Sequence, residues 1–251
     1  GGTGAMNALY SWPLEEEMAH YLNEDGSKYR LFDGIWTLDS DKENPYWIIN
    51  KNKLYDKTYR FTGGLNAQFK ITDWWNIAGR VGYDNYTTDA YTYIAPGSVV
   101  KEMYQNGRLS KADYRYEYLS TNFMTNFQKQ FGDWDLGLML GTSTDDTKST
   151  YNYRWGWNFE VPGFASFGNI KDENKYFRQT LSQHRLVGFF GELRADWKNT
   201  VFLTVTGRND WSSTLSKENR SFFYPSVNAS VLVSELINKN FGGMPEWFNY
   251  A

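Results

Sequence analysis

The sequence predicts an all-β fold: an antiparallel transmembrane β-barrel section of about seven strands, with long loops at one end and short turns at the other. Three observations predict it: period-two alternation of apolar and polar residues, a regular exchange of short and long connections, and aromatics gathered beside the short ones.

The alternation begins at Phe61, where Phe61, Leu65, Phe69 and Ile71 oppose Arg60, Asn66, Gln68 and Lys70. Period two is the signature of a strand with one apolar face. Trp75, Ile77, Val81 and Tyr83 continue it after a tight turn at Thr72–Trp74. A second hairpin runs from Leu119 to Phe131, turns at Gly132-Asp133, and returns through Trp134, Leu136, Leu138 and Leu140. A third pairs Val187–Trp197 with Val201–Arg208 across Lys198–Thr200, and Phe223–Val233 forms a seventh strand.

The connections at one end are about three residues long, whereas those at the other run roughly over Asp84–Glu117, Ser143–Thr180 and Asn209–Phe222. Compact domains rarely carry several such loops. Short periplasmic turns and long extracellular loops are the plan of an outer-membrane barrel. Phe69, Trp74, Trp75, Phe131, Trp134 and Trp197 sit beside the short turns and are read as a membrane-interface girdle. The first 55 residues read as an extracellular loop segment leading into the first strand, with a short helix expected over Leu14–Tyr21.

Composition narrows the function classes. The 251 residues carry a net charge of −3, no cysteine and 19% aromatics. No basic surplus suggests nucleic acid, and no disulfide or thiolate site is possible. Mean hydropathy is −0.65, and no run approaches the ~20 apolar residues of a membrane helix. Strand alternation hides an apolar membrane face from that measure. No signal-peptide pattern opens the chain, so it reads as an internal piece of a longer polypeptide.

No catalytic constellation is expected, and no cofactor. His20 and His184 are too distant in sequence to suggest a metal site, and "DSDKE" (Asp39 to Glu43) reads as a solvated acidic loop rather than a calcium loop. The serines of "DWSSTLS" have no base nearby in sequence. Tyr151, Tyr153, Trp155 and Trp157 alternate in what reads as an extracellular loop; extended, they would present one aromatic face to a sugar or peptide, with Asn152, Arg154 and Asn158 as polar partners. Arg60, Asn66, Gln68, Lys70, Arg80, Arg194 and Arg208 fall on the polar, lumen-facing parity.

The stretch Arg208 to Glu235 resembles the strand-loop-strand signature of SusC/RagA-like TonB-dependent transporters. In that family R-x-D-x-S-S leads to F-F-x-P-S, matched here by Arg208, Asp210, Ser212, Ser213, Phe222, Phe223, Pro225 and Ser226. Asn44–Asn52 and Arg185–Trp197 resemble family segments in the same order. The resemblance implies one section of a 22-stranded outer-membrane barrel of a Bacteroidetes-like Gram-negative bacterium, all 251 residues belonging to that barrel domain. It also implies a plug and a TonB-binding region elsewhere in the polypeptide, a SusD-like lipoprotein at the extracellular face, surrounding outer-membrane lipid, and active import of oligosaccharides or peptides. Two other readings stay open: a passive porin-type channel and a soluble extracellular glycan-binding β-sandwich.

Overall fold

Seven strands, each hydrogen-bonded to its sequence neighbours, form one antiparallel sheet in the order β1-β2-β3-β4-β5-β6-β7. They are β1 (Lys53–Thr72), β2 (Trp75–Ile94), β3 (Arg108–Phe131), β4 (Trp134–Trp157), β5 (Lys175–Trp197), β6 (Val201–Ser212) and β7 (Ser221–Val231). The computed structural model describes residues 4–31, 42–99 and 101–235. Asp39 to Asp41 of the acidic loop lie outside them.

The turns at one end are as short as expected. Asp73-Trp74 and Gly132-Asp133 are two-residue loops, and Lys198, Asn199 and Gly132 take the left-handed conformation with φ of 55°, 52° and 58°. Left-handed residues match the twist of a tight hairpin. Pro225, third in the strand expected from Phe223, lies fifth in β7 opposite Gly207.

The strands themselves are much longer than the apolar alternation indicates. β2 continues through Asn85–Asp89 to Ile94, β3 starts at Arg108, and β4 runs on to Trp157. Much of the three expected long loops is therefore strand, and the connections shrink to 95–107, 158–174 and 213–220. The reason is chemical. Tyr86, Thr87, Thr88, Tyr91 and Thr92 keep high strand propensity but no longer separate apolar from polar faces. At 24 residues, β4 is more than twice the ~9–11 that cross a bilayer.

The chain divides into two compact units. One comprises Gly1–Arg60, Tyr86–Arg115 and Ser149–Leu181; the other comprises Phe61–Asn85, Tyr116–Lys148 and Ser182–Ala251. The first has a conventional core of Trp47, Tyr93, Ala95, Leu109, Phe159 and Ile170. Burying each large apolar side chain there contributes about 1.5–3 kcal/mol. Gly107, at φ +91°, has no Cβ to collide with the Phe159 ring.

Two short helices belong to this unit, α1 (Ala5–Ser11) and α2 (Pro45–Lys51). The helix expected over Leu14–Tyr21 is absent; that stretch is made of turns. Pro45 opens α2, and Asn44 caps it by accepting from Tyr46 N (2.8 Å) and Trp47 N (3.2 Å). Glu43, expected in a solvated loop, is buried: it pairs with Lys28 and accepts from Ser98 Oγ (2.7 Å) and Val99 N (2.9 Å). Lys28 in turn lies 5.2 Å from the Trp47 ring centroid. In the turn before it, Asp25 accepts from the Ser27 hydroxyl and amide, which hold its carboxyl below the usual range.

The second unit is built inside out. Among its described residues the buried side chains are small and polar, Ser143, Thr200 and Ser212, while many of its large apolar side chains are exposed. Phe61 is 63% exposed, Leu65 70%, Phe189 56% and Val227 70%.

Candidate functional site

The registers of β5, β6 and β7 sort this unit's residues onto two faces. Directly opposed residues share a face, giving the rows Leu193–Val205–Val227, Ala195–Leu203–Ala229 and Trp197–Val201–Val231 on one side. The other side carries Phe190–Arg208–Tyr224, Glu192–Thr206–Ser226 and Arg194–Thr204–Asn228. β4 follows suit, with Trp134, Leu136, Leu138 and Leu140 exposed at even positions. In water this apolar face forfeits about 25 cal/mol for every Å² left uncovered. It requires an apolar neighbour.

Four of the expected girdle residues, Trp74, Trp75, Trp134 and Trp197, come together in two clusters at the short turns. Trp74 and Trp75 stack with each other and with Phe127, at 6.1 and 5.8 Å from its ring, and Trp134 meets Trp197 at 6.3 Å. Trp75 Nε1 donates to Thr125 Oγ1 at 2.8 Å. Lys129 reaches over Trp74 and Phe131, and Lys198 over Trp197. Phe69 stands exposed on β1. Trp74, Trp75, Phe131 and Trp197 thus each lie beside a cation or a hydrogen-bonding partner at a strand end.

On the polar face, Arg208 is the centre of a network. Its Nε donates to both Asp210 oxygens (2.8 and 2.9 Å), Nη2 donates to Ser143 Oγ (3.0 Å), and the guanidinium lies 5.5 Å from the Phe190 ring. Gly188 makes this possible. A Cβ there would stand 2.5 Å from Asp210 Oδ1, 2.7 Å from Ser143 Oγ and closer still to Arg208 Nη2. Nearby, Tyr118 donates to Asp145 at 2.5 Å.

The other lumen-parity residues engage locally. Arg80 Nε donates to Asn66 (2.7 Å), Lys70 pairs with Asp73 (2.6 Å), and Arg194 pairs with Glu192 (3.0 Å). Arg194 also lines a cavity of about 260 Å³ with Gln128, Asp135 and Asp196. Arg60 lies 5.8 Å from the Tyr86 ring, and Gln68 is exposed.

The rest of the signature ties strands together. Arg185 N donates to Ser213 Oγ (2.8 Å) and Ser213 N donates to Arg185 O (2.9 Å). Ser212 is buried, with its hydroxyl 2.8 Å from Thr214 Oγ1 and 3.4 Å from His184 Nε2. The fold thus brings a histidine near a serine that the sequence leaves without a base, at the outer limit of a hydrogen bond and with the hydroxyl already engaged. Phe222 and Phe223 occupy opposite faces of β7, and Ser226 opposes Thr206.

Tyr151, Tyr153, Trp155 and Trp157 do not lie in a loop; they end strand β4. The strand gives them the common face that their spacing implies. Tyr151 stacks on Tyr153 (6.1 Å), and Trp155 on Trp157 (4.8 Å). Tyr176 of β5 meets Trp155 at 6.0 Å, and Arg108 of β3 lies between the Trp155 and Tyr104 rings (5.4 and 5.1 Å) while donating to Tyr153 Oη (2.9 Å). Asn152 and Arg154 are held elsewhere, by Gln179 (2.8 Å) and Asp113 (3.3 Å). Asn158 accepts from Asn106. Sequence reasoning misses Tyr104, Arg108 and Tyr176 because they come from other parts of the chain. It misses Gly188 because alternation carries no signal for a bare Cα.

No family model matches the chain. TonB-dependent receptor P26 of Formosa agariphila is 25% identical over 242 residues, covering 94% of this chain and 23% of its own length. TonB-dependent receptor SusC of Bacteroides thetaiotaomicron is 26% identical over 230 residues, covering 82% and 22%. Among solved structures, the RagAB peptide transporter superposes with a TM-score of 0.70 at 15% identity, over 86% of this chain and 24% of that one. The chain thus spans about a quarter of the length of the proteins it matches. In sequence the chain is similar to one section of SusC-like TonB-dependent receptors, and in fold to one section of the RagAB transporter, an antiparallel run of β-barrel strands.

Proposed function

We propose that the polypeptide containing this wall imports an oligosaccharide or a peptide across the bacterial outer membrane, driven through TonB, with no bond made or broken. The observation that carries the reading is the two-faced sheet of the second unit. Its exposed apolar rows suit lipid, while Arg208, Asp210, Glu192 and Arg194 on the opposite face suit a polar lumen. The whole chain belongs to the barrel domain in this reading, and seven strands cover only part of the circumference. A plug elsewhere in the polypeptide would meet the charged face, and a SusD-like lipoprotein would cap the loop end.

The aromatic surface of β4 with Arg108 is the candidate substrate contact. Stacked rings offer faces to sugar C–H groups or peptide planes, and the Arg108 guanidinium beside them supplies N–H donors. Uptake of candidate oligosaccharides and peptides, compared between a TonB-competent strain and one lacking TonB, tests the reading. Import that stops without TonB supports it; unchanged import supports a passive channel instead.

A further inference from the structure

Two neighbouring concavities on the apolar side of β5–β7 suit the two halves of one amphiphile. The first is a groove of about 570 Å³ floored by the register pair Gly191 and Gly207, whose walls include Leu140, Phe189, Leu193 and Phe223. Neither glycine is required by a positive φ; their effect here is spatial. A Cβ on Gly191 would come 3.1 Å from Leu140 Cδ2, and one on Gly207 would come 3.4 Å from the Phe223 ring. Leu140 and Phe223 lean over the two glycines, and the groove left between the large apolar side chains has the chemistry of a channel for an acyl chain.

Trp211 borders that groove and also the second concavity, of about 410 Å³, lined by Arg185, Val187, Ser212, Ser213 and Arg220. The apolar rows give way to charge here, and both arginine backbones are fixed: Ser213 exchanges hydrogen bonds with Arg185, and Ser212 N donates to Arg220 O at 2.9 Å. Asp146 engages Arg185 through Nε (2.9 Å) and offsets one charge. Arg220 has no ion-pair partner among the described residues, and the Arg185 side chain is 55% exposed. Guanidinium groups bind phosphate in a bidentate fork, and hydroxyls complete its shell.

We propose that these concavities form one site for a phosphate-bearing lipid of the outer leaflet. Its acyl chain lies along Gly191 and Gly207, its glycerol or sugar passes Trp211, and its phosphate rests between Arg185 and Arg220. The site rests on the reading that the apolar face lies in a membrane. It does not depend on what is imported.

The test is native mass spectrometry of the full-length receptor released from micelles containing either bisphosphorylated lipid A or phosphatidylcholine. The wild type retains lipid A over phosphatidylcholine by about tenfold, the equivalent of one good charge-assisted contact. Arg185→Gln with Arg220→Gln abolishes that preference, and Gly207→Val, which fills the groove, lowers retention of both lipids. Equal retention of the two lipids by the wild type, or an unchanged preference in the double arginine variant, overturns the site. Membrane fractionation separates the two failures. A membrane-inserted receptor without lipid preference defeats only this inference, whereas a receptor found in the soluble fraction defeats the barrel reading with it.

Discussion

The Arg208 guanidinium closes on the Asp210 carboxylate across the bare Cα of Gly188, with Nε 2.8 Å from Oδ1 and Nη2 3.0 Å from Ser143 Oγ. Three strands meet in that contact: Ser143 is on β4, Gly188 on β5, and the ion pair on β6. The R-x-D spacing of the sequence signature is what places both charges on one face of β6.

Gly188→Ala forces that network apart, because the new methyl meets three polar groups at once. The expected loss is about 1–3 kcal/mol, typical of overpacking. It is read as a lower temperature for the loss of heat-modifiable gel mobility of the full-length protein. Gly82→Ala, where a Cβ meets nothing within 4 Å, leaves that temperature unchanged.

Lys28 and Glu43 form a buried pair whose side chains are 3% and 8% exposed. Removing one partner, as in Lys28→Met, leaves a buried carboxylate and destabilises its surroundings by about 3–5 kcal/mol. Proteolytic cleavage within residues 4–31 should accelerate accordingly. Adding Glu43→Gln to Lys28→Met should restore most of the resistance, since no uncompensated charge then remains.

Trp155→Ala removes the ring that contacts Trp157, Tyr176 and Arg108. If this surface binds substrate, the apparent KM for uptake rises about fivefold, the equivalent of roughly 1 kcal/mol of ring contact. Maximal uptake stays near wild type. Arg154→Gln, at a position held by Asp113, leaves both parameters unchanged.

How far the sequence reveals this depends on where a strand separates apolar from polar chemistry. Leu193, Leu203 and Val227 alternate cleanly with Arg194, Thr204 and Asn228, so strand, face and turn are all legible there. From Asn85 to Asp89 both parities are polar, and the continuation of β2 cannot be read from hydropathy. Tyr151 to Trp157 suffer the same fate: their common face is visible, their place in β4 is not. Arg108 and Tyr176 join them only because β3 and β5 flank β4, a pairing that local spacing does not encode. Glu43 is a different failure, since an acidic run reads as solvated until Lys28 is brought to it by the fold.

The most direct test is a pair of adjacent substitutions on β6, Val205→Arg and Thr206→Arg, in the full-length protein. Val205 lies in the apolar row with Leu193 and Val227, and Thr206 lies in the polar row with Glu192 and Ser226. A charge on a lipid face at mid-membrane depth costs about 2–4 kcal/mol, while one facing a lumen is tolerated. The folded, heat-modifiable, membrane-inserted fraction should therefore collapse for Val205→Arg and remain near wild type for Thr206→Arg. Equal tolerance of both, or the reverse order, would contradict a membrane wall.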